Sequence, residues 1–370
     1  MTNDSLKLAF IGGGIGSIAG IPHYVASSMD AKFDLVAGAF SLDKQINQES
    51  ADRWGIKRFY DSWRDLIEQE KNNIDAAVVL TPTPIHFDMI CALLDKNIPI
   101  ISEKAVVSTM EDIRKIKEIY NPEEHFLVVT YNYSGYPLIR ELKHRISKGE
   151  LGKIINIRLE MPQESFLRPP ISTKYPQVWR LQDKYIPTIC LDLGVHLHQM
   201  AFFLTGMEPS SLFATMKSFS SYSVVDDVEI LLEYDNGASG NFWMSKVAIG
   251  HRNGLRVRVY GEKASAEWFQ AEPETMLFSY VNGEKKIIER GGDTFVCNEK
   301  RYNRMNPGHP AGFIEAFANV YSDIGDALIA FKNKKNYKNQ YVFGLEPAEK
   351  GLTLFHRAKD SHKQKCWLPI

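Results

Sequence analysis

Short apolar runs alternate with amphipathic stretches from Leu6 to Tyr131, and this rhythm leaves few architectures open. The strand-like runs cover residues 6–11, 33–40, 59–60, 76–80, 98–102 and 126–131, with helical patterns at 45–54, 63–67, 86–96 and 110–120. The runs are apolar throughout, which implies a parallel sheet buried on both faces. Strand–helix alternation of this kind predicts a doubly wound α/β domain over residues 1–132. After Tyr136 the pattern changes. A helix at 138–148 ends at Gly149-Glu150-Leu151-Gly152, and alternating strands follow at 154–160, 212–219, 228–234, 239–245, 255–261 and 264–269. Asp235-Asn236-Gly237 and Asn282-Gly283 are hairpin signals. Residues 133–370 therefore read as an α+β domain for substrate binding and oligomerisation on a mostly antiparallel sheet, with a C-terminal helix that could pack back on the first domain. Helices cover one face, the other is open to a second subunit, and the active site is expected between the two domains.

Composition removes several classes of function. With 370 residues the chain exceeds one core, and 44% hydrophobic and 24% charged residues fit a globular protein. Lysine plus arginine (44) nearly equal aspartate plus glutamate (45), so no broad basic field serves nucleic acid. No apolar run is long enough to span a bilayer, and Met1-Thr2-Asn3-Asp4-Ser5 has no basic leader region. Cys91, Cys190, Cys297 and Cys366 lie far apart with no Cys-x-x-Cys pair, predicting reduced thiols in a cytoplasmic protein and no metal centre.

Gly12-Gly13-Gly14-Ile15-Gly16-Ser17 follows the first strand and precedes a helical stretch. Glycines admit a pyrophosphate close to the backbone, and the next helix offers its N–H groups. The dinucleotide fingerprint fits as Gly12-x-Gly14-x-x-Ser17 or as Gly14-x-Gly16-x-x-Ala19, and Pro22 implies a late or bent helix. At the end of the second strand an NAD site usually carries an acid for the ribose 2′-hydroxyl. This chain has Phe40 there, followed by Ser41, Leu42, Asp43 and Lys44. Ser41 and Lys44 suit a 2′-phosphate, which tips NAD(P) slightly towards NADP. Asp43 could still reach back, and Lys44 could simply open a solvated helix.

Lys104 ends the fifth strand, where open α/β sheets bind ligands beyond their carboxyl ends. With it stand Thr81-Pro82-Thr83-Pro84-Ile85-His86, Ser102-Glu103-Lys104, Gly149-Glu150-Leu151-Gly152 and Asp192-Leu193-Gly194-Val195-His196. Their order and spacing resemble the Gfo/Idh/MocA family of sugar and cyclitol oxidoreductases, across essentially the whole chain. The resemblance implies a Rossmann domain followed by an α+β domain that forms homodimers or homotetramers. It implies Lys104, Asp192 and His196 as the catalytic set, with Glu103 beside the cofactor. It also places Thr81, Pro82 and His86 along the nicotinamide half of the cofactor, and Tyr133, Trp179 and Arg180 towards substrate. His309, in a turn-forming loop, is a further substrate candidate.

The chemistry of these side chains agrees. Oxidising a secondary alcohol needs a base for the hydroxyl proton while hydride leaves carbon, and an imidazole with a reference pKa of about 6.5 suits that role. Asp192 and His196 are four apart and share a helical face. Lys104 would stabilise developing alkoxide charge. Each residue also has an ordinary reading: a strand-end surface lysine, an aspartate N-cap, a core histidine, a salt-bridge arginine. His86 and His198 read as structural. The chain departs from the family pattern in four places. Ala105 replaces proline after Glu-Lys, and bulky Lys184-Tyr185-Ile186-Pro187-Thr188-Ile189-Cys190 replaces a glycine-rich segment. Gln199 replaces an acid, and Ser134 an arginine. The expected function is NAD(P)-dependent oxidation or reduction of a sugar, sugar derivative or cyclitol. A nicotinamide-dependent glycosidase and a non-catalytic dinucleotide-binding regulator are the rivals.

Overall fold

The computed structural model describes residues 5–168 and 176–370; residues 1–4, read above for a leader, lie outside them. The chain divides into two compact units, residues 1–135 with 313–348, and residues 136–312 with 349–370.

In the first unit β1 (Leu6–Gly12), α1 (Gly20–Ser28), β2 (Phe33–Ala39), α2 (Lys44–Trp54), β3 (Arg58–Phe59) and α3 (Trp63–Glu70) come first. They are followed by β4 (Ala76–Leu80), α4 (His86–Asp95), β5 (Ile100–Ser102), α5 (Met110–Ile119) and β6 (Leu127–Val129). The sheet order is β3-β2-β1-β4-β5-β6, all parallel, with strands added on one side of β1 up to β3 and on the other from β4. This is the doubly wound order, and it sets the glycine turn, Thr81 and Lys104 at neighbouring carboxyl ends. β4 is buried at every position, as its unbroken Ala-Ala-Val-Val-Leu implied.

In the second unit α6 (Pro137–Ser147) leads into β7 (Ile154–Pro162). A π-helical turn (Cys190–Gly194) runs into α7 (Val195–Thr205), and then come β8 (Pro209–Lys217), β9 (Asp227–Tyr234), β10 (Ser239–Ser245) and β11 (Arg256–Gly261). β12 (Ala264–Phe269), β13 (Thr275–Tyr280) and β14 (Lys285–Glu289) complete the run of strands. The last elements are α8 (Phe313–Lys332), α9 (Leu345–Gln364) and β15 (Leu368–Pro369). The nine-stranded order is β14-β13-β12-β11-β7-β10-β9-β8-β15, and only the β7–β10 pair is parallel. Burial alternates strictly along β9, with Val228, Ile230 and Leu232 inward and Glu229, Leu231 and Glu233 exposed. α9 covers the inner face at β8, where Ser361 Oγ accepts from Ala214 N (3.0 Å) and His362 Nδ1 from Met216 N (3.2 Å).

The two-part division expected at residue 132 differs from the observed one in α8. That helix comes late in the chain, yet Phe317, Val320, Tyr321, Ile324 and Leu328 join the core built on Phe10, Phe33 and Val128. Its apolar face is the reason, since each such side chain gains about 1.5–3 kcal/mol on burial. The approach is close: a Cβ on Gly135 would lie 1.9 Å from Ala316 O, and Asn319 Nδ2 donates to Gly135 O (2.9 Å).

Candidate active site

In the first unit the glycine turn is a cradle of bare backbone. Gly12 and Gly13 hold φ of 82° and 74°, values that L side chains resist. A Cβ on Gly12 would meet Thr81 Cγ2 at 2.8 Å, while Gly16 faces open space. α1 begins at Gly20 with no side-chain cap and no acidic residue in its first turn, so its N–H end suits a pyrophosphate. The late start agrees with Pro22, which stands in the first turn where a missing N–H costs little. Neither sequence register captured the glycine that closes the helix on the turn. It is Gly20, where a Cβ would stand 1.8 Å from Gly13 O. Gly14 N donates to Phe40 O (3.2 Å) and Ile15 N to Ser50 Oγ (3.0 Å), fixing the loop to β2 and α2.

The acid position after β2 is filled by Phe40, buried with its ring edge on Trp54 at 5.1 Å between centroids. Asp43 does not reach back: its Oδ1 accepts from Ile46 N (3.0 Å) as the N-cap of α2. Ser41 Oγ accepts from Asp43 N (3.1 Å). Lys44 is the first residue of α2, with Nζ 3.1 Å from Asp61 Oδ2 in an exposed pair.

After β4, Thr81 Oγ1 donates to Met89 Sδ (3.3 Å), and Pro82 leads a 3-10 turn, Thr83–Ile85. His86 is fully buried, with Nε2 2.7 Å from Thr81 O and Nδ1 3.1 Å from Ala105 O. Burial holds its imidazole below the ordinary histidine value. A neutral ring can donate to only one of these carbonyls, and the shorter contact makes Thr81 O the acceptor. His86 thus holds the β4 end by hydrogen bond and packs against the residue after Lys104.

Glu103 continues β5 pairing, its N–H donating to Val79 O (3.0 Å). Its carboxylate turns inward, 3.1 Å from His23 Nε2 and accepting from Thr130 Oγ1 (2.5 Å). His23 Nδ1 lies 2.6 Å from Tyr321 Oη on α8, and its ring meets Phe317 edge-on at 4.5 Å. Burial alone would raise the Glu103 carboxyl. The His23 hydrogen bond and charge, the Lys104 ammonium and the Thr130 hydroxyl outweigh it and hold the group at about 2. Lys104 is half-buried, and its peptide bond to Ala105 is cis. Tyr133, in a 3-10 turn at Asn132–Gly135, is buried with its ring edge on Phe313.

In the second unit Asp192 lies inside the π-helical turn, a form concentrated at functional sites. Gly194 lets the turn pack closely, because a Cβ there would stand 2.6 Å from Phe355 Cζ and 3.0 Å from Met244 Sδ. Asp192 caps no helix. Its Oδ2 accepts from Lys246 Nζ (2.9 Å) and Arg180 Nε (3.1 Å), and Oδ1 from Arg180 Nη2 (3.3 Å). His196 is buried one turn on, in a helix buried nearly all round. Arg180 lies 4.4 Å from the Trp179 ring centroid, and Trp179 Nε1 donates to Gln177 Oε1 (2.8 Å). The bulky 184–190 wall is anchored by Asp183, which accepts from Thr188 N (2.8 Å) and Val225 N (2.7 Å). Lys359 Nζ donates to Lys184 O and Tyr185 O. Asp192, Arg180 and Trp179 therefore cluster. His309 is exposed, with Nδ1 3.2 Å from Asn306 O.

A family model described as an oxidoreductase family with an NAD-binding Rossmann fold matches residues 6–155, and one described as the GFO/IDH/MocA C-terminal domain matches 139–267. The chain belongs to the Gfo/Idh/MocA oxidoreductase family. An uncharacterised oxidoreductase of that likeness, YfiI of Bacillus subtilis, is 28% identical over 346 residues, 90% of this chain and 87% of its own. Levoglucosan dehydrogenase of Pseudarthrobacter phenanthrenivorans is 23% identical over 340 residues, 83% of this chain and 82% of its own. The crystal structure of an inositol dehydrogenase homologue from Azotobacter vinelandii, complexed with NADH and myo-inositol, superposes with a TM-score of 0.90 at 27% identity. It covers 100% of this chain and 98% of that one.

Within this Gfo/Idh/MocA chain the sequence reading missed Gly20, His23, Thr130 and Lys246. Lys246 had a legible signal. It continues the inward phase of Gly240, Phe242 and Met244, where a charge must have a partner. His23 and Thr130 had none, since their partner Glu103 is 80 and 27 residues away.

Proposed function

We propose that the chain transfers hydride between a nicotinamide dinucleotide and a hydroxyl or keto carbon of a sugar, sugar derivative or cyclitol. The observation that carries this reading is Lys104 at the carboxyl end of β5, in the same sheet as a glycine cradle fit for a dinucleotide. The full-length likeness to a homologue complexed with NADH and myo-inositol supports the substrate class.

A bound nicotinamide supplies the hydride acceptor. In the oxidative direction His196 takes the hydroxyl proton as the C–H bond breaks, and Lys104 stabilises the developing alkoxide. Asp192, neutralised by two cations, accepts a substrate hydroxyl and orients it. Tyr133, Trp179 and Arg180 shape the substrate's surroundings, and His309 would reach it only by leaving its own turn. Gly12, Gly14, Ile15 and Gly16 carry the pyrophosphate, with Thr81 and Pro82 beside the nicotinamide. Glu103 and His86 act from behind, holding the strand ends in place.

Either nicotinamide dinucleotide fits, and the absence of an acid side chain at Phe40 favours a slight preference for NADP. The Lys44–Asp61 pair is exposed and weak, so Lys44 can turn to a 2′-phosphate at little cost. The uncovered face of the nine-stranded sheet supports self-association as a dimer or tetramer. No described helix is long and apolar enough to cross a membrane. The four cysteines form no disulfide among the described residues, which supports a cytoplasmic setting.

The test is an absorbance screen for reduced nicotinamide over sugars and cyclitols, run with NAD and NADP separately. Turnover of a polyol with either cofactor is the expected result; tight dinucleotide binding without any turnover would remove the enzyme reading. Lys44→Ala is expected to weaken NADP relative to NAD by about tenfold, and an unchanged ratio would take Lys44 out of cofactor selection.

A further inference from the structure

We propose that Lys246 is a positioning residue of the reaction, fixing both the charge and the direction of the Asp192 carboxylate. This rests on the role given to Asp192 above. The Lys246 side chain is 4% exposed, and burying an ammonium costs several kcal/mol unless it is well paired. Its ammonium donates to Asp192 Oδ2 at 2.9 Å. The lysine's backbone is pinned on both sides: its N–H donates to Asp226 O (2.7 Å) and its carbonyl accepts from Phe166 N (2.9 Å). Nζ lies 5.0 Å from the Phe166 ring centroid, which in turn packs on Tyr222. The ammonium is thus delivered from a rigid strand end, whereas Arg180 comes from a short, more exposed turn.

The surrounding acids are engaged elsewhere. Asp226 accepts from Phe219 N and Ser220 N, and Asp183 from Thr188 N and Val225 N. Glu164 accepts from Arg168, Arg252 and Gly250 N. Among the described residues, Arg180 and Lys246 are set on the Asp192 carboxylate and His196 stands one turn away. Two cations on one carboxylate keep it ionised, so it accepts substrate hydrogen bonds and leaves proton transfer to the imidazole. Both cations bind Oδ2, and Arg180 Nη2 also reaches Oδ1 (3.3 Å), so the two partners together fix the plane of the carboxylate.

The experiment compares Lys246→Met, Lys246→Arg and Asp192→Asn by dinucleotide binding and by kcat/KM as a function of pH. Lys246→Met is expected to bind the dinucleotide as the parent does, to lose about 10²-fold in kcat/KM, and to show its acidic limb raised by about one pH unit. Lys246→Arg, which restores the charge, should return the acidic limb to the parent position. Parent kcat/KM in Lys246→Met would overturn the proposal. So would a loss in both variants with an unmoved acidic limb, which is the mark of a packing role alone. If Asp192→Asn is impaired while Lys246→Met is not, only the role of Lys246 falls. If Asp192→Asn turns over at the parent rate, the assignment of Asp192 falls first.

Discussion

Removing the charge from Glu103 tests the buried chain of groups behind Lys104. The folded carboxyl sits at about 2 against an ordinary 4.5, so ionised Glu103 stabilises the fold above about pH 4.5. That contribution, about 3 kcal/mol, is lost as pH falls from there towards 2. Glu103→Gln should therefore flatten the acid limb of the stability curve in this window, measured by urea midpoints from pH 5 downwards. An unchanged limb would show that His23, Lys104 and Thr130 do not hold the carboxylate. The motif Ser102-Glu103-Lys104 was legible as a strand end with chemistry in it. What each side chain does was not. Glu103 read as a cofactor neighbour, yet it faces a histidine 80 residues away. Tyr321, which completes the chain, is 298 residues from that histidine, beyond the reach of any local pattern.

Elements were legible where periodicity was strong and local. β4, the inward–outward alternation of β9 and the Asp235-Asn236-Gly237 hairpin all follow from nearest-neighbour chemistry. β13 and β14 were signalled only by their turn; β14 is an edge strand whose exposed lysines leave little apolar pattern. The π-helical turn at Cys190–Gly194 was read as ordinary helix, since no residue type marks a π-turn. The close packing that calls for glycine at 194 is against Phe355 and Met244, which are distant in sequence. α8 is the clearest case of tertiary choice: its partners are the first 135 residues, not its neighbours. Gly135→Ala should disturb that docking, because the added Cβ would meet Ala316 O at 1.9 Å. The expected cost is about 1–3 kcal/mol of stability, with weaker dinucleotide binding. A melting temperature equal to the parent's would mean that α8 can shift without loss.

At the scale of the molecule, one chain carries two units with distinct duties. The first supplies the dinucleotide cradle and an ammonium group. The second supplies a carboxylate locked by two cations, with an imidazole one turn on. Fold class and family were legible in the order of the motifs, and the family models and solved structures agree. The identity of the sugar was not, because the departures at 184–190, Gln199 and Ser134 name no ligand. Self-association through the open sheet face predicts a mass in light scattering of two or four chains. A concentration-independent monomer would contradict it. The most direct measurement is turnover of the best substrate by Lys104→Ala and His196→Ala, with dinucleotide affinity measured on the same samples. Losses of about 10²–10⁴ in kcat at unchanged affinity are the predicted result. Either variant working at the parent rate would contradict the central claim that these two groups move and stabilise the hydroxyl proton and its charge.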